Sequence, residues 1–159
     1  MNMKKTLLLS LFAFMAIAFN ASAQNNSTHS ITLRTLYGLE YSYEHQWNSG
    51  MSLIGRVGGG SEMYGHSMNY VIGKGFNVMV EPRYYLNNED FFSVKVNGAI
   101  LIPNTPFDVS LVPVYGIKRE YNEHWFCEFT IGGGAAYHSG YGGFLYFKPH
   151  LQFRIGFQL

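Results

Sequence analysis

The chain has 159 residues, of which 17% are aromatic and 13% are charged, with one cysteine and a formal net charge of +1. Disordered chains have few aromatics and much charge, nucleic-acid-binding proteins have a positive excess, and disulfide scaffolds need at least two cysteines. The composition therefore excludes these three classes, predicts a single domain and gives no reason to expect a nucleic-acid partner.

The first residues have the features of a secretory signal peptide. A basic pair of lysines precedes an apolar run over residues 7–19, and small residues at positions 21–23 form a cleavage site. The apolar run is shorter than the roughly 20 residues that a membrane-spanning helix needs. We therefore predict a signal peptide over residues 1–23 and a mature domain over residues 24–159.

Apolar residues recur at every second position through most of the mature part, and no window keeps an apolar stripe at helical spacing. This alternation predicts an all-β chain whose strands have one apolar and one polar face. In chain order the alternating segments are residues 29–36, 39–47, a weaker segment from residue 51, and residues 76–85, 92–100, 107–118, 125–137 and 141–159. Most of them are longer than the five or six residues typical of soluble strands and suit tilted membrane strands of about 9 to 11 residues.

The segments between these strands alternate in character. Tight polar turns are predicted at residues 48–50, 87–90 and 122–124, and longer segments rich in Gly, Ser and Pro at residues 61–69, 103–106 and 138–143. Short turns at one end and longer loops at the other are typical of outer-membrane barrels. Aromatic residues near the tight turns predict an interfacial girdle made of Trp47, Tyr84, Tyr85, Phe91, Phe92, Tyr121, Trp125 and Phe126.

The number of strands depends on the first segment. Seven strands are clear, and an odd number would leave unmatched sheet edges in lipid. Residues 29–36 supply an eighth strand if the chain turns at Tyr37 and Gly38, although alternation continues unbroken from Ile31 to Trp47, as in one long strand. We predict eight strands in an antiparallel up-and-down transmembrane β-barrel.

The chain resembles a known family at two places. The closing residues 151–159 alternate strictly, and Glu81-Pro82-Arg83-Tyr84-Tyr85 ends a strand before an Asn-Asn turn. With these features the whole mature chain resembles the small outer-membrane β-barrels of Gram-negative bacteria, the porin-like superfamily that includes the OmpX and OmpA barrels. The resemblance implies an outer-membrane location, contact with outer-membrane lipid and insertion by the barrel-assembly machinery. The terminal signal of that family normally ends in Phe, whereas this chain ends in Leu159.

If the apolar face meets lipid, the polar face of each strand lines the barrel interior. Eight strands enclose a space just wide enough for side chains, so the inward charges are expected to pair and fill it without leaving an open channel. Glycines at 58, 60, 132 and 134 are expected to make room for large side chains or to bend strands. The predicted inward charges are Glu40, Glu44, Glu81 and Glu128 with Arg56, Arg83, Lys95, Lys118 and Arg154.

No catalytic, metal or cofactor site is assigned from the sequence. Asp108 and the pairs His66-Ser67 and His138-Ser139 are expected near one rim, but their spacing does not establish the hydrogen bonds that a nucleophile, base and orienting group need. The six histidines lack paired short spacing, the lone Cys127 is expected to face lipid, and Gly73-Lys74-Gly75 lacks the third glycine and helix of a phosphate loop.

The sequence thus predicts a non-enzymatic outer-membrane barrel with a structural, adhesive or surface-interaction role through its loops. The extracellular partner is not identified. Two alternatives stay open: a soluble lipocalin-like barrel with its faces reversed and an apolar ligand inside, and an outer-membrane lipid-modifying enzyme.

Overall fold

A computed structural model describes residues 27–34, 38–47, 50–66, 69–102, 106–140 and 142–159, and of residues 62–66 and 69–72 it describes the backbone alone. The predicted signal peptide over residues 1–23 and the predicted turn residue Tyr37 lie outside the described residues. Within the described part of the chain, no helix is long and apolar enough to cross a bilayer.

Eight strands form one closed barrel in which each strand pairs antiparallel with the next and the last pairs with the first. The prediction of an all-β, eight-stranded, up-and-down antiparallel barrel is confirmed. The strands are β1 (Ser27–Arg34), β2 (Gly38–Gln46), β3 (Met51–His66), β4 (Asn69–Tyr85), β5 (Asp90–Ile102), β6 (Phe107–Glu120), β7 (Trp125–His138) and β8 (Phe144–Gln158).

The register of β1 and β2 explains why the sequence alternates without a break up to residue 47 although the two strands are separate. Arg34 pairs with Gly38 and Leu33 with Leu39, so odd residues stay opposite odd residues across the connection. The chain therefore reverses direction while its odd positions keep facing outward. An unbroken alternation is compatible with a hairpin whenever the register pairs residues of the same parity.

We call the end where β2–β3, β4–β5 and β6–β7 connect the turn end, and the opposite end the loop end. The predicted long loop over residues 61–69 is wrong, because β3 continues to His66 and β4 begins at Asn69. Antiparallel pairing satisfies the backbone groups of both arms, which a Gly- and Ser-rich loop would leave to water. The β3–β4 hairpin consequently extends past its neighbours at the loop end.

Along each strand, alternate side chains face the inside and the outside of the barrel. In β5 every second residue from Phe91 to Leu101 is buried inside the barrel, and the residues between them, from Phe92 to Ile102, are exposed outside. The pleat of a strand places successive side chains on opposite faces, so the sequence alternation translates directly into an inner and an outer surface.

Two aromatic residues assigned to the girdle lie inside the barrel instead. Phe91 and Phe126 are buried, and each stands opposite a glycine, Gly116 and Gly156 respectively. A Cβ atom built on either glycine would lie 2.2 or 2.1 Å from the ring of its partner. The rings therefore occupy the space that the glycines leave, as aromatic side chains do over glycines in designed sheets.

The remaining turn-end aromatics are divided between the inner and the outer face of the barrel. Tyr85 points inward, where its hydroxyl donates a hydrogen bond to Glu44 at 2.8 Å, so the girdle assignment is wrong for this residue as well. The others are exposed on the outer face at the turn end: Trp47, Tyr84, Phe92, Tyr121 and Trp125.

Glycines also bring β6 and β7 unusually close together. A Cβ on Gly132 would lie 2.2 Å from the carbonyl oxygen of Pro113, and one on Gly134 would lie 2.0 Å from that of Leu111. Only a residue without a Cβ permits this approach of the two backbones.

We expect Gly116→Ala to destabilise the barrel by about 1–3 kcal/mol, the usual cost of overpacking a core. The ring of Phe91 cannot easily move aside, because it is fully buried and the Arg83 guanidinium carbon lies 3.9 Å from its centroid. Gly98→Ala is the control, since a Cβ atom at this outward position would have no neighbouring atom within 4 Å. Thermal unfolding in detergent measures both, and equal stability of the two variants would contradict this packing of Phe91 against Gly116.

Candidate functional site

The centre of the barrel contains a compact group of buried ions. Arg83 Nε donates to Glu81 Oε1 at 2.9 Å, and its Nη2 donates to Glu128 Oε2 at 2.7 Å. Arg56 contacts the same two carboxylates, pairing with Glu81 through Nη1 and with Glu128 through Nη2 at 3.4 Å. Two guanidinium groups thus bridge two carboxylates, and all four side chains are buried.

Neighbouring strands complete this group. Arg154 stands directly opposite Glu128 in the β7–β8 register and donates to it through Nη1 at 2.5 Å. The Ser93 hydroxyl donates to Glu81 Oε1 at 2.8 Å. Both carboxylates therefore accept several charge-assisted or hydroxyl hydrogen bonds, which is the condition under which buried ions are tolerated.

Glu40 connects the group to the strands that close the barrel. Its Oε2 accepts from Arg154 Nε at 3.2 Å, and its Oε1 lies 3.4 Å from Arg34 Nη1. Arg34 and Arg154 stand opposite each other in the β1–β8 register. Like charges in that arrangement repel, so the carboxylate between them offsets the repulsion. We call Glu40, Glu81, Glu128, Arg56, Arg83 and Arg154 the central ion layer.

A second polar group lies nearer the turn end. Glu44 accepts hydrogen bonds from Ser52 Oγ and Tyr85 OH, both at 2.8 Å, and lies 3.5 Å from Lys118 Nζ. The Lys118 ammonium also stands over the Phe126 ring, 5.0 Å from its centroid. Glu44 and Lys118 are thus paired with each other and remain partly accessible to solvent.

A third group, at the loop end, was not anticipated as an inward ion pair. Asp108 Oδ1 accepts from Lys148 Nζ at 2.9 Å, and its Oδ2 accepts from Tyr146 OH at 2.5 Å. Both ions are buried. The signal was present for Lys148, because it has the same parity in β8 as the inward Gln152 and Arg154.

The rim residues considered for catalysis are only partly brought together. His138 Nδ1 lies 3.9 Å from Asp108 Oδ2, farther than the Lys148 and Tyr146 groups that bind this carboxylate. The Ser139 hydroxyl accepts a hydrogen bond from the Phe107 backbone N–H at 2.8 Å. Asp108 thus forms contacts in the lumen, and Ser139 binds the backbone at the start of β6. Ser67 and the side chain of His66 lie outside the described residues.

No group of three or more metal-ligating side chains occurs among the residues that the structure describes. Cys127 is a free thiol, half-buried at an outward position of β7.

The outer face of the barrel is the reverse of its interior. Among the strand residues whose side chains are described, the outward charges are Asp90 and Arg119, near strand ends, and Lys74, which lies within β4 opposite Ile102 at the end of β5. Between these ends the outer surface is apolar and includes the exposed side chains of Leu33, Leu39, Val78, Val80, Val94, Val96, Val109, Leu111, Phe129, Ile131, Leu151, Phe153 and Ile155. Monomeric soluble proteins rarely expose an apolar surface of this continuity.

Comparisons with known proteins give little further information. No protein-family model and no curated protein matches the sequence. Among solved structures, the chain is similar to the outer membrane protein Ail of Yersinia pestis in a phospholipid bilayer nanodisc, with 12% sequence identity and a TM-score of 0.49. The match covers 86% of this chain and 100% of that chain. A likeness this low assigns no function.

Arg83→Ala should cost roughly 3 to 5 kcal/mol of stability, because it leaves Glu81 and Glu128 short of a buried partner, and less if water enters. Arg119→Ala is the matched control: Arg119 forms an exposed ion pair with Glu89 at 3.2 Å, and such pairs contribute little. Thermal unfolding in detergent compares them. An Arg83→Ala protein as heat-stable as the Arg119→Ala protein would show that the central ion layer does not brace the barrel.

Proposed function

We propose that the chain is an outer-membrane β-barrel without enzymatic activity, with a structural, adhesive or surface-interaction role at its loop end. The observation that carries the proposal is the apolar outer face, which among the described side chains has no charge between the level of Lys74, where β5 ends, and the turn end. A closed barrel satisfies all its inter-strand backbone groups internally, which is the requirement for crossing lipid with strands. The exposed aromatics at the turn end suit an interfacial girdle.

A soluble lipocalin-like barrel is not favoured, because it needs the opposite arrangement of faces. Such a protein would bury leucine and phenylalanine around an apolar ligand and expose its charges to water. Here Glu81, Arg83 and Arg154 are buried, while Leu151 and Phe153 are exposed.

A lipid-modifying enzyme is likewise not favoured. The strongest rim arrangement places Asp108 in contact with Lys148 and Tyr146, and Ser139 in contact with the backbone of residue 107. These contacts hold strands and do not activate a nucleophile.

The expected partners follow from the same surfaces. Outer-membrane lipid would cover the apolar face, and the barrel-assembly machinery would insert the chain by reading its closing strand, β8. The β3–β4 hairpin, which extends past its neighbours at the loop end, offers a surface for an extracellular partner. Export through the predicted signal peptide would leave the turn end in the periplasm.

Fractionation of cells tests the location. The folded protein should be recovered with outer membranes, require detergent for extraction and show heat-modifiable gel mobility. Recovery in the soluble periplasmic fraction without detergent would exclude a membrane-spanning barrel.

Phe153→Asp should prevent accumulation of the folded protein in the membrane. A charge on the lipid face near the bilayer midplane costs on the order of 2 to 4 kcal/mol for Arg or Lys and less for Asp, and Phe153 is exposed on the outer face of β8. Phe153→Leu keeps an apolar side chain at this position and should assemble normally. If both variants reach the parental membrane yield, lipid does not cover this face.

Planar-bilayer recording should detect no stable large-channel conductance. Eight strands enclose a lumen that side chains can fill, and here the central ion layer, Phe91 and Phe126 lie across it. Porin-like conductance of the purified wild-type protein would require an oligomeric pore or a rearranged interior.

A further inference from the structure

A cavity of about 100 Å³ lies inside the barrel between the central ion layer and the Asp108–Lys148 pair. Ten of its fourteen lining residues are polar or basic, and none of the described lining residues is a carboxylate. The side chains that matter for the argument are Arg34, Lys95, Lys148, His150, Gln152 and Arg154.

Lys95 differs from the other cations around this cavity. Arg34 and Arg154 are paired with Glu40, and Lys148 with Asp108. Among the described residues, Lys95 forms no ion pair and has only neutral partners, Thr130 Oγ1 at 3.0 Å and His150 Nε2 at 2.9 Å. Lys95 is only 2% exposed, and a buried ammonium without an ion-pair partner is costly. The carboxylates that attract it from farther away, Glu81 and Glu128, are themselves paired with Arg83.

Arg154, another residue that lines the cavity, has one donor without a partner among the described residues. Its Nε and Nη1 atoms bind Glu40 and Glu128, whereas its buried Nη2 has no hydrogen-bond partner among the described residues. The side-chain oxygen of Gln152, another lining residue, is also buried without a partner in the described part of the chain.

We propose that the cavity binds a small oxyanion of the phosphate class, held by the Lys95 ammonium and the Arg154 guanidinium group. Charge-assisted hydrogen bonds from ammonium and guanidinium groups are the usual means of holding such anions. A cavity needs only about 10–15 Å³ to hold one water, so this one accommodates a tetrahedral anion. The anion would supply a negative charge that the described lining residues lack. This inference is independent of the membrane location.

The test uses the folded, detergent-purified full chain and measures its melting temperature at constant ionic strength. Inorganic phosphate should raise the melting temperature progressively, as expected for a ligand that binds the folded state, and chloride should not. Glycerol phosphate forms a separate arm that mimics a lipid head group. Because the cavity is small, inorganic phosphate should stabilise the protein more than the monoester does. No phosphate-specific rise, or a rise with the monoester alone, overturns the proposal.

Two variants locate the site. Lys95→Met should weaken phosphate binding at least about tenfold, since a hydrogen bond to a charged group is lost. Lys74→Met is the matched control, because Lys74 is exposed on the outer face and does not line the cavity. Calorimetric titration compares their dissociation constants, and unchanged binding by Lys95→Met would place the anion elsewhere.

Ser110→Met is a second test of the cavity, which serves if Lys95→Met does not fold. Ser110 lines the cavity and is buried, so the longer side chain fills the space without changing any charge. Its melting temperature should no longer respond to phosphate. A response equal to that of the wild type would overturn the proposal.

Discussion

Closure of the sheet between β1 and β8 is the constraint on which the rest of the molecule depends. A barrel has no free edge only if its first and last strands pair, and in lipid an unpaired edge would leave backbone groups without partners. Here the seam is short, running from the Ser30–Gln158 pair to the Arg34–Arg154 pair. The seam also places two arginines opposite each other, so its stability depends on Glu40, which contacts both.

Glu40 links this seam to an ion network that crosses the whole lumen. Glu40 belongs to β2, Arg56 to β3, Glu81 and Arg83 to β4, and Glu128 to β7, with Arg154 of β8 joining them. Hydrogen bonds in a sheet connect only neighbouring strands, whereas the pairs of Arg56 and Arg83 with Glu128 connect β3 and β4 to β7 across the barrel. The network therefore fixes the shape of the cross-section, and the alternation of charge along it makes each ion depend on its neighbours.

The sequence allowed the faces of the strands to be predicted because polarity alternates with the pleat. Glu81, Arg83, Lys95 and Arg154 all point inward, at the parity that their strands predicted. Their partners could not be predicted, since a pair such as Arg83 and Glu128 forms across the lumen and depends on the stagger of the closed barrel.

Local composition and position gave two wrong predictions. Residues 61–69 have the composition of a loop, yet most of them extend a hairpin, because pairing between two strands is not encoded in either strand alone. Phe91 and Phe126 occur where girdle aromatics are expected, yet each fills the space over a glycine in the neighbouring strand. A pattern read along one strand does not report such cross-strand complementarity.

The interior is therefore organised in layers along the barrel axis. Phe91, Phe126 and the Glu44–Lys118 pair lie toward the turn end, the central ion layer follows, and the basic cavity lies above it toward the loop end. An anion reaching Lys95 from the turn end would have to pass the carboxylates Glu81 and Glu128 and break their ion pairs. Access from the loop end meets no such barrier of charge, among the described residues, beyond the Asp108–Lys148 pair. The proposed site would then be filled and emptied from one side, which makes the barrel suited to holding an anion and not to conducting it.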